Sequence, residues 1–252
     1  MGISRRDFLK IAGASLLFNK VLVSEGYSYN LKIPVLLYHE ITHRLKGDYS
    51  VRPEDFASQM EFLYQSGYKT IFVKEIPLAI NEGLTDVVVI TFDDGSLSFI
   101  DYAFPLLSHY NFKVTMNLVG SWVNSKAQVL SWDECRFLKE TGLVDFGCHS
   151  WNAHNPPNGY LALSENEADM DMKKFQDTMK NRLGELAEVL SWPFGKYNGK
   201  TIEIAKRNGF KFMLTSHMGY YIKWTPFTVI PRINVGNSMD INKFKGIIGG
   251  QL

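Results

Sequence analysis

The sequence predicts a single α/β domain whose parallel sheet is closed, or nearly closed, into a barrel. Short β-rich runs alternate with helix-patterned segments from residue 32 onward, and seven or eight such runs can be counted. No internal repeat, low-complexity tract or Pro/Gly linker divides the body. An open doubly wound sheet is the alternative, and periodicity does not separate the two.

The elements follow in order. IPVLLYH (33–39) reads as a strand and RPEDFASQMEFLYQSG (52–67) as a helix, with Pro53, Glu54 and Asp55 in its first turn. KTIFV (69–73) is a strand, followed by a short helix through EIPLAINEG. DVVVITF (86–92) is a continuous apolar run of the sort buried on both faces. SFIDYAFPLLSHY reads as a helix bent at Pro105, KVTMNLVG as a strand, SWDECRFLKETG as a capped helix and LVDFGCHS as a strand. The next helix is long and opens on a capping box, Ser164 with Glu167 three residues on. VLSWPF, FKFMLTS and FTVIPRINV complete the strands, with the helix GKTIEIAKRNG between the first two.

Composition leaves the function class open but narrows it. With 252 residues and 45% hydrophobic content a full core is affordable. A net charge of +1 without a long charged run offers nothing to recruit nucleic acid. The aromatic content of 13% fits both a carbohydrate-facing cleft and a plain aromatic core. Cys135 and Cys148 form no CxxC and leave room for a single bridge in an exported protein.

The chain begins MGISRRDFLKIAGASLLFNKVLVSEGYS, a basic start followed by an apolar stretch of signal-peptide length. Ser4-Arg5-Arg6-Asp7-Phe8-Leu9-Lys10 resembles the twin-arginine export signal. Asn19 and Lys20 interrupt the apolar run and no clear A-x-A site follows, so residues 1–28 are expected to act as signal or retained anchor, with residues 32–252 as the domain. The resemblance implies the twin-arginine export machinery as a partner, an address in the periplasm or cell envelope, and membrane association through this segment.

In either α/β architecture ligands sit at the carboxyl ends of the strands. Polar chemistry gathers there in this sequence. Tyr38-His39-Glu40 ends the first strand, Asp93-Asp94 follows the apolar run 88–92, His149 ends LVDFGCHS, and Trp192-Pro193-Phe194 ends VLSWPF. His149 and His154 are five apart, which on a helix would turn them about 140° from each other. A strand end curling into a loop brings both to one point. One carboxylate from the Asp93-Asp94 pair then completes a two-histidine, one-carboxylate set, which suits Zn²⁺ with open positions and also non-haem iron or cobalt. Adjacent carboxylates permit a division of labour, one for the ion and one as a base beside water whose pKa the ion lowers. Each feature also has a plainer reading: satisfied core histidines, and Asp-Asp-Gly as turn and cap chemistry.

With these residues in place, the sequence resembles the polysaccharide deacetylases of the NodB-homology type, carbohydrate esterase family 4. TFDDG (91–95) matches their first motif, and His149-Ser150-Trp151-Asn152-Ala153-His154 resembles the second with one extra residue, as in the branch that de-N-acetylates poly-β-1,6-N-acetylglucosamine. IPVLLYHEI (33–41) is similar to the N-terminal block of that branch, and SWPFGKYN (191–198) to the third family motif. The resemblance spans residues 32 to about 235 and implies a distorted (β/α) barrel of about seven parallel strands. It implies Asp93 as general base, Asp94, His149 and His154 as ligands of a divalent metal, and His39 as general acid. Zinc is the first expectation for that metal, with cobalt, iron and nickel as alternatives. No histidine follows residue 217, so His39 has no C-terminal rival. The backbone N–H of Phe194, after Pro193, is implied as an oxyanion donor. The motif's arginine is missing, and Arg232 is the candidate substitute. Trp192 and Tyr197 are candidates for stacking on sugar rings and equally for the core. Cys148 is expected to pack in the core, because it points away from His149 on an ideal strand. The implied substrate is an N-acetylglucosamine polysaccharide. Peptidoglycan, chitin oligomers, acetylated xylan and an inert glycan-binding protein are the rivals.

Overall fold

The structure is a computed structural model that describes residues 31–252; the export-signal reading of residues 1–28 lies outside the described residues. Eight parallel strands form the main sheet: β1 (Val35–Tyr38), β2 (Lys69–Ile71), β3 (Val87–Asp94), β4 (Val114–Val119), β5 (Val144–Ser150), β6 (Val189–Ser191), β7 (Phe212–Met218) and β8 (Ile230–Asn234). Their order is β1-β8-β7-β6-β5-β4-β3. β3 then pairs back onto β1, from Val35 opposite Val89 to Tyr38 opposite Phe92, which closes a barrel of seven parallel strands. The three-residue β2 joins the beginning of β3, with Lys69 opposite Val87. The closed form is the one realised, and the open sheet is not.

The helices are α1 (Pro53–Gln65), α2 (Ile76–Glu82), α3 (Phe104–His109), α4 (Trp132–Glu140), α5 (Glu165–Leu183), α6 (Gly199–Arg207) and α7 (Ile241–Ile248). Their ends obey local chemistry. Ser131 and Glu134 cap α4 reciprocally, as Ser164 and Glu167 cap α5. Pro105 does not bend a helix in mid-course. A π-helical turn, Phe99–Ala103, runs into α3, and Pro105 lies in the first turn of α3, where its missing N–H removes no helical bond. The C-terminal α7, capped by Asp240, went unread in the sequence.

Alternation along the strands builds two different layers. Leu36 and Tyr38, Val88, Ile90 and Phe92, Val114, Met116 and Leu118, and Phe146 and Cys148 belong to the continuous apolar core that also takes in Phe56, Leu138 and Phe175 from the helices. The residues between them include Thr91 and Asp93, Thr115 and Asn117, His149 and Ser191, all buried and polar. The barrel interior at its carboxyl end is thus a packed polar layer. Cys148 lies in the apolar core, as expected, and Cys135 and Cys148 are both buried free thiols with no bridge between them.

Candidate functional site

Asp93, 1% exposed, stands at the centre of the polar layer. Its Oδ1 accepts from Asn117 Nδ2 at 2.8 Å and Arg232 Nη1 at 3.0 Å; its Oδ2 accepts from Ser191 Oγ at 2.9 Å and Arg232 Nη2 at 2.8 Å. Arg232, itself 2% exposed, is anchored in turn by the Thr215 carbonyl at 2.8 Å and by the Thr91 hydroxyl at 3.2 Å. The guanidinium fork matches the carboxylate, so orientation and charge are set together. Burial by itself would raise the Asp93 pKa; the Arg232 guanidinium and the nearby His149 reverse this and hold the carboxyl well below the usual carboxylate range. The structure therefore places Arg232 where the sequence reading put a substitute for the missing motif arginine.

Gly147 makes this network possible. A Cβ there would stand 2.2 Å from Asn117 Oδ1, so only glycine leaves room for the Asn117 side chain inside the barrel. Asn117 and Ser191 were missed in the sequence. Their signal was a polar residue at an inward position of an apolar strand, in VTMNLV and VLS.

Asp94 turns the other way. Its backbone is left-handed at φ 72°, as is that of Gly95 at φ 75°. A side chain at Gly95 would also meet Leu118 Cδ2 at 2.8 Å. Adjacent residues of a strand point to opposite faces; the left-handed turn releases Asp94 from that rule and aims it over the barrel mouth. His149 is re-aimed by a bulge, because Leu118 pairs with Cys148 while Val119 pairs with Ser150. His149 Nδ1 lies 2.8 Å from the Ser191 carbonyl, which assigns the proton to Nδ1 and leaves the Nε2 lone pair free. Nε2 stands 3.6 Å from Asp94 Oδ1, and His154 Nε2 stands 3.5 Å from the same oxygen.

These three side chains fit a metal ion. Their ligand atoms lie within 4.8 Å of one another, and Asp94 Oδ1 is buried with no hydrogen-bond partner. Two ligands about 2 Å from a common tetrahedral centre lie roughly 3.3 Å apart, close to the spacings seen. Burial, helped by His149, lowers His154 to about 4 against the pull of Asp94, so its ring is neutral and able to ligate at neutral pH.

A cleft of about 640 Å³ opens over this centre, lined by His39, Glu40, Tyr49, Asp93, Asp94 and Phe194 among others. His39 lies beyond the end of β1, with Nδ1 buried and unpaired and its ring edge-on to Tyr49 at 5.0 Å. Burial lowers its pKa; Asp93 and Asp94 oppose this, while Arg232 and His149 add to it. Phe194 follows Pro193 with a left-handed backbone, φ 59°, and its half-exposed ring packs on His154 at 4.6 Å. Trp122, unread in the sequence, meets the His154 ring edge-on at 4.9 Å. Trp192 does not offer a face to a sugar. It is completely buried, packed against Tyr160 and stacked on Tyr197, and the core reading is correct for it.

The chain is similar to known deacetylases in sequence and in fold. A poly-beta-1,6-N-acetyl-D-glucosamine N-deacetylase of Staphylococcus epidermidis is 29% identical over 200 residues, 75% of this chain and 69% of the relative. The Escherichia coli protein of the same name is 25% identical over 235 residues, 77% of this chain and 35% of the relative, so the chain spans about a third of its length. The solved Streptococcus pyogenes deacetylase PplD, in complex with acetate, superposes with a TM-score of 0.77 at 26% identity, over 86% of this chain and 98% of that one. Residues 81–213, just over half the chain, match the polysaccharide deacetylase family model, and they carry Asp93, Asp94, His149 and His154: the chain belongs to the polysaccharide deacetylase family.

Proposed function

We propose that this protein is a metal-dependent hydrolase that removes N-acetyl groups from an N-acetylglucosamine polysaccharide, with the poly-β-1,6-linked exopolysaccharide as its substrate class. The observation that carries the reading is the unpartnered Asp94 Oδ1 facing His149 and His154 beside a second, arginine-held carboxylate. The names of the Staphylococcus and Escherichia relatives support the polymer, and the longer His-x₄-His loop supports the same branch.

In this reading Asp94, His149 and His154 hold the divalent ion, zinc first. When bound, it supplies Lewis acidity and lowers the pKa of water. Asp93 accepts the proton of the attacking water. All its acceptor positions are filled, and the Ser191 hydroxyl is the donor that yields, because its proton swings away about the C–O bond while the amide and guanidinium N–H groups are fixed in their planes. The Phe194 N–H stabilises the oxyanion on the carbonyl carbon. His39 protonates the leaving nitrogen. Its depressed pKa makes the protonated ring a stronger acid while reducing the protonated fraction at neutral pH. Tyr49 and Phe194 line the cleft and offer aromatic surface for sugar rings. Export through the twin-arginine machinery to the periplasm or envelope, directed by residues 1–28, belongs to the same proposal.

The test is acetate release from poly-β-1,6-N-acetylglucosamine oligomers by the purified chain, chelated and zinc- or cobalt-reloaded, with Asp93→Asn as control. Metal-dependent release that Asp93→Asn abolishes while still binding metal is the expected result. Release from peptidoglycan or chitin oligomers alone would replace the substrate, and wild-type activity in Asp93→Asn would remove the base assignment.

A further inference from the structure

Four residues, Ser150 to Ala153, separate the two candidate ligand histidines, and this loop must turn sharply for His154 to return to His149. Ser150 sits at φ 129°, a strained conformation for a residue with a side chain. Local preference does not make this turn, so neighbouring elements must hold it.

Asp171, on α5, supplies most of that hold. Its Oδ1 accepts from the Trp151 backbone N–H at 2.8 Å and from the Tyr160 hydroxyl at 2.8 Å, and its Oδ2 accepts from the Asn152 N–H at 2.7 Å. The loop's opposite edge is satisfied by the chain after β4: Gly120 N–H donates to the Ser150 carbonyl at 2.9 Å, and Ser121 N–H to the Trp151 carbonyl at 2.9 Å. The Trp151 ring lies so close over Gly120 that a Cβ there would stand 2.6 Å from it, and the Lys174 ammonium sits 4.6 Å above the same ring. Lys174 and Asp171 are three apart on α5, hence on one helix face. Two consecutive amides bound by one ionised carboxylate are charge-assisted and geometrically restrictive.

We propose that Asp171 is a positioning residue that sets the metal affinity of the site by clamping the loop between His149 and His154. The inference rests on the metal site proposed above. It touches no ligand atom; it acts through the backbone that carries His154, as outer-shell partners of metal sites do. Both carboxylate oxygens are needed. An asparagine keeps the volume but presents one acceptor, and turns an NH₂ group toward a backbone N–H or the Tyr160 hydroxyl.

The experiment compares zinc affinity, by competition with a chromophoric chelator, and the visible absorption of the cobalt-loaded protein for the full chain and its variants. Asp171→Asn should bind zinc about 10–100-fold more weakly, with an altered cobalt spectrum. Tyr160→Phe, which leaves both amide bonds to Asp171 intact, should stay close to wild type. Asp171→Glu, which keeps two acceptor oxygens one methylene further out, should fall between them, and it decides the matter if Asp171→Asn does not fold. Zinc affinity and cobalt spectra in Asp171→Asn, or in Asp171→Glu if only that variant folds, equal to those of wild type would overturn the inference alone. A wild-type chain that binds no zinc would overturn the metal reading and this inference with it.

Discussion

Arg232 grips Asp93 through two parallel hydrogen bonds, Nη1 to Oδ1 at 3.0 Å and Nη2 to Oδ2 at 2.8 Å, although the two are 139 positions apart in the chain. Both side chains are almost completely buried at the floor of the cleft. Removing one partner of such a pair strands a buried charge, so Arg232→Met should destabilise the protein by about 3–5 kcal/mol at neutral pH. The pH dependence has a definite sign. In the wild type the folded pKa of Asp93 lies below its unfolded value, so its contribution is present above the ordinary carboxylate range and is lost only as pH falls through the lowered pKa. In Arg232→Met burial dominates and raises that pKa, so the penalty is greatest at neutral pH and is relieved on acidification. Urea unfolding from pH 7 down to pH 4 should show the gap between the two proteins narrowing; a constant gap would refute the account.

Gly147→Ala tests the network from outside. The added methyl collides with Asn117 Oδ1 and dislodges a donor from Asp93. We expect a loss of about 1–3 kcal/mol, the range for overpacking a filled interior, together with reduced turnover. Combining it with Asn117→Ala, which vacates that space but also removes the donor to Asp93 and leaves the contact with Val189, should recover part of the stability but not turnover, in a double-mutant comparison by thermal unfolding and acetate release.

His39 should reveal itself by leaving-group dependence. If it protonates the departing nitrogen, His39→Phe should lower kcat on the N-acetyl sugar by about 10²–10⁴-fold. Acetate release from an activated aryl ester, whose phenolate leaves without a proton, should be far less affected. Equal losses on both substrates would assign His39 to packing against Tyr49 instead.

Metal removal should be visible in stability as well as rate. An ion bound only by the folded chain stabilises it by about 2.7 kcal/mol at a free concentration a hundredfold above its Kd. Zinc should therefore raise the melting temperature of the wild type and leave that of Asp94→Ala unchanged. A zinc-dependent shift of equal size in Asp94→Ala would place the binding elsewhere.

The two thiols offer a check on the core. Burial pushes Cys135 up to about 12 and raises Cys148 well above its ordinary value. Neither should react with a disulfide reagent at pH 8 in the folded protein, and two equivalents should appear on denaturation. Fast titration of either thiol in the folded state would show that the α4 or β5 packing described here is wrong.

Much of this protein is written locally. The alternation of β-rich and helical segments, the capping boxes at Ser131 and Ser164, and the short distances within TFDDG and the His149–His154 loop are sequence-near features, because turns, caps and strand periodicity depend on neighbours a few residues away. They were enough to name the barrel among the alternatives and to bring Asp93, Asp94, His149 and His154 together as candidates. What only the tertiary structure decided is who surrounds them. Asn117 and Ser191 lie 24 and 98 residues from Asp93, and no local pattern links them to it; Arg232, 139 residues away, was a candidate only through the family resemblance. Closure of the sheet through β1 and β3 decides the matter: parallel strands in register place inward side chains of distant segments in one layer, where a buried carboxylate must find all its hydrogen-bond donors. The tertiary packing also decided between the two readings left open for Trp192, whose ring is buried against Tyr160 and Tyr197 as part of the core.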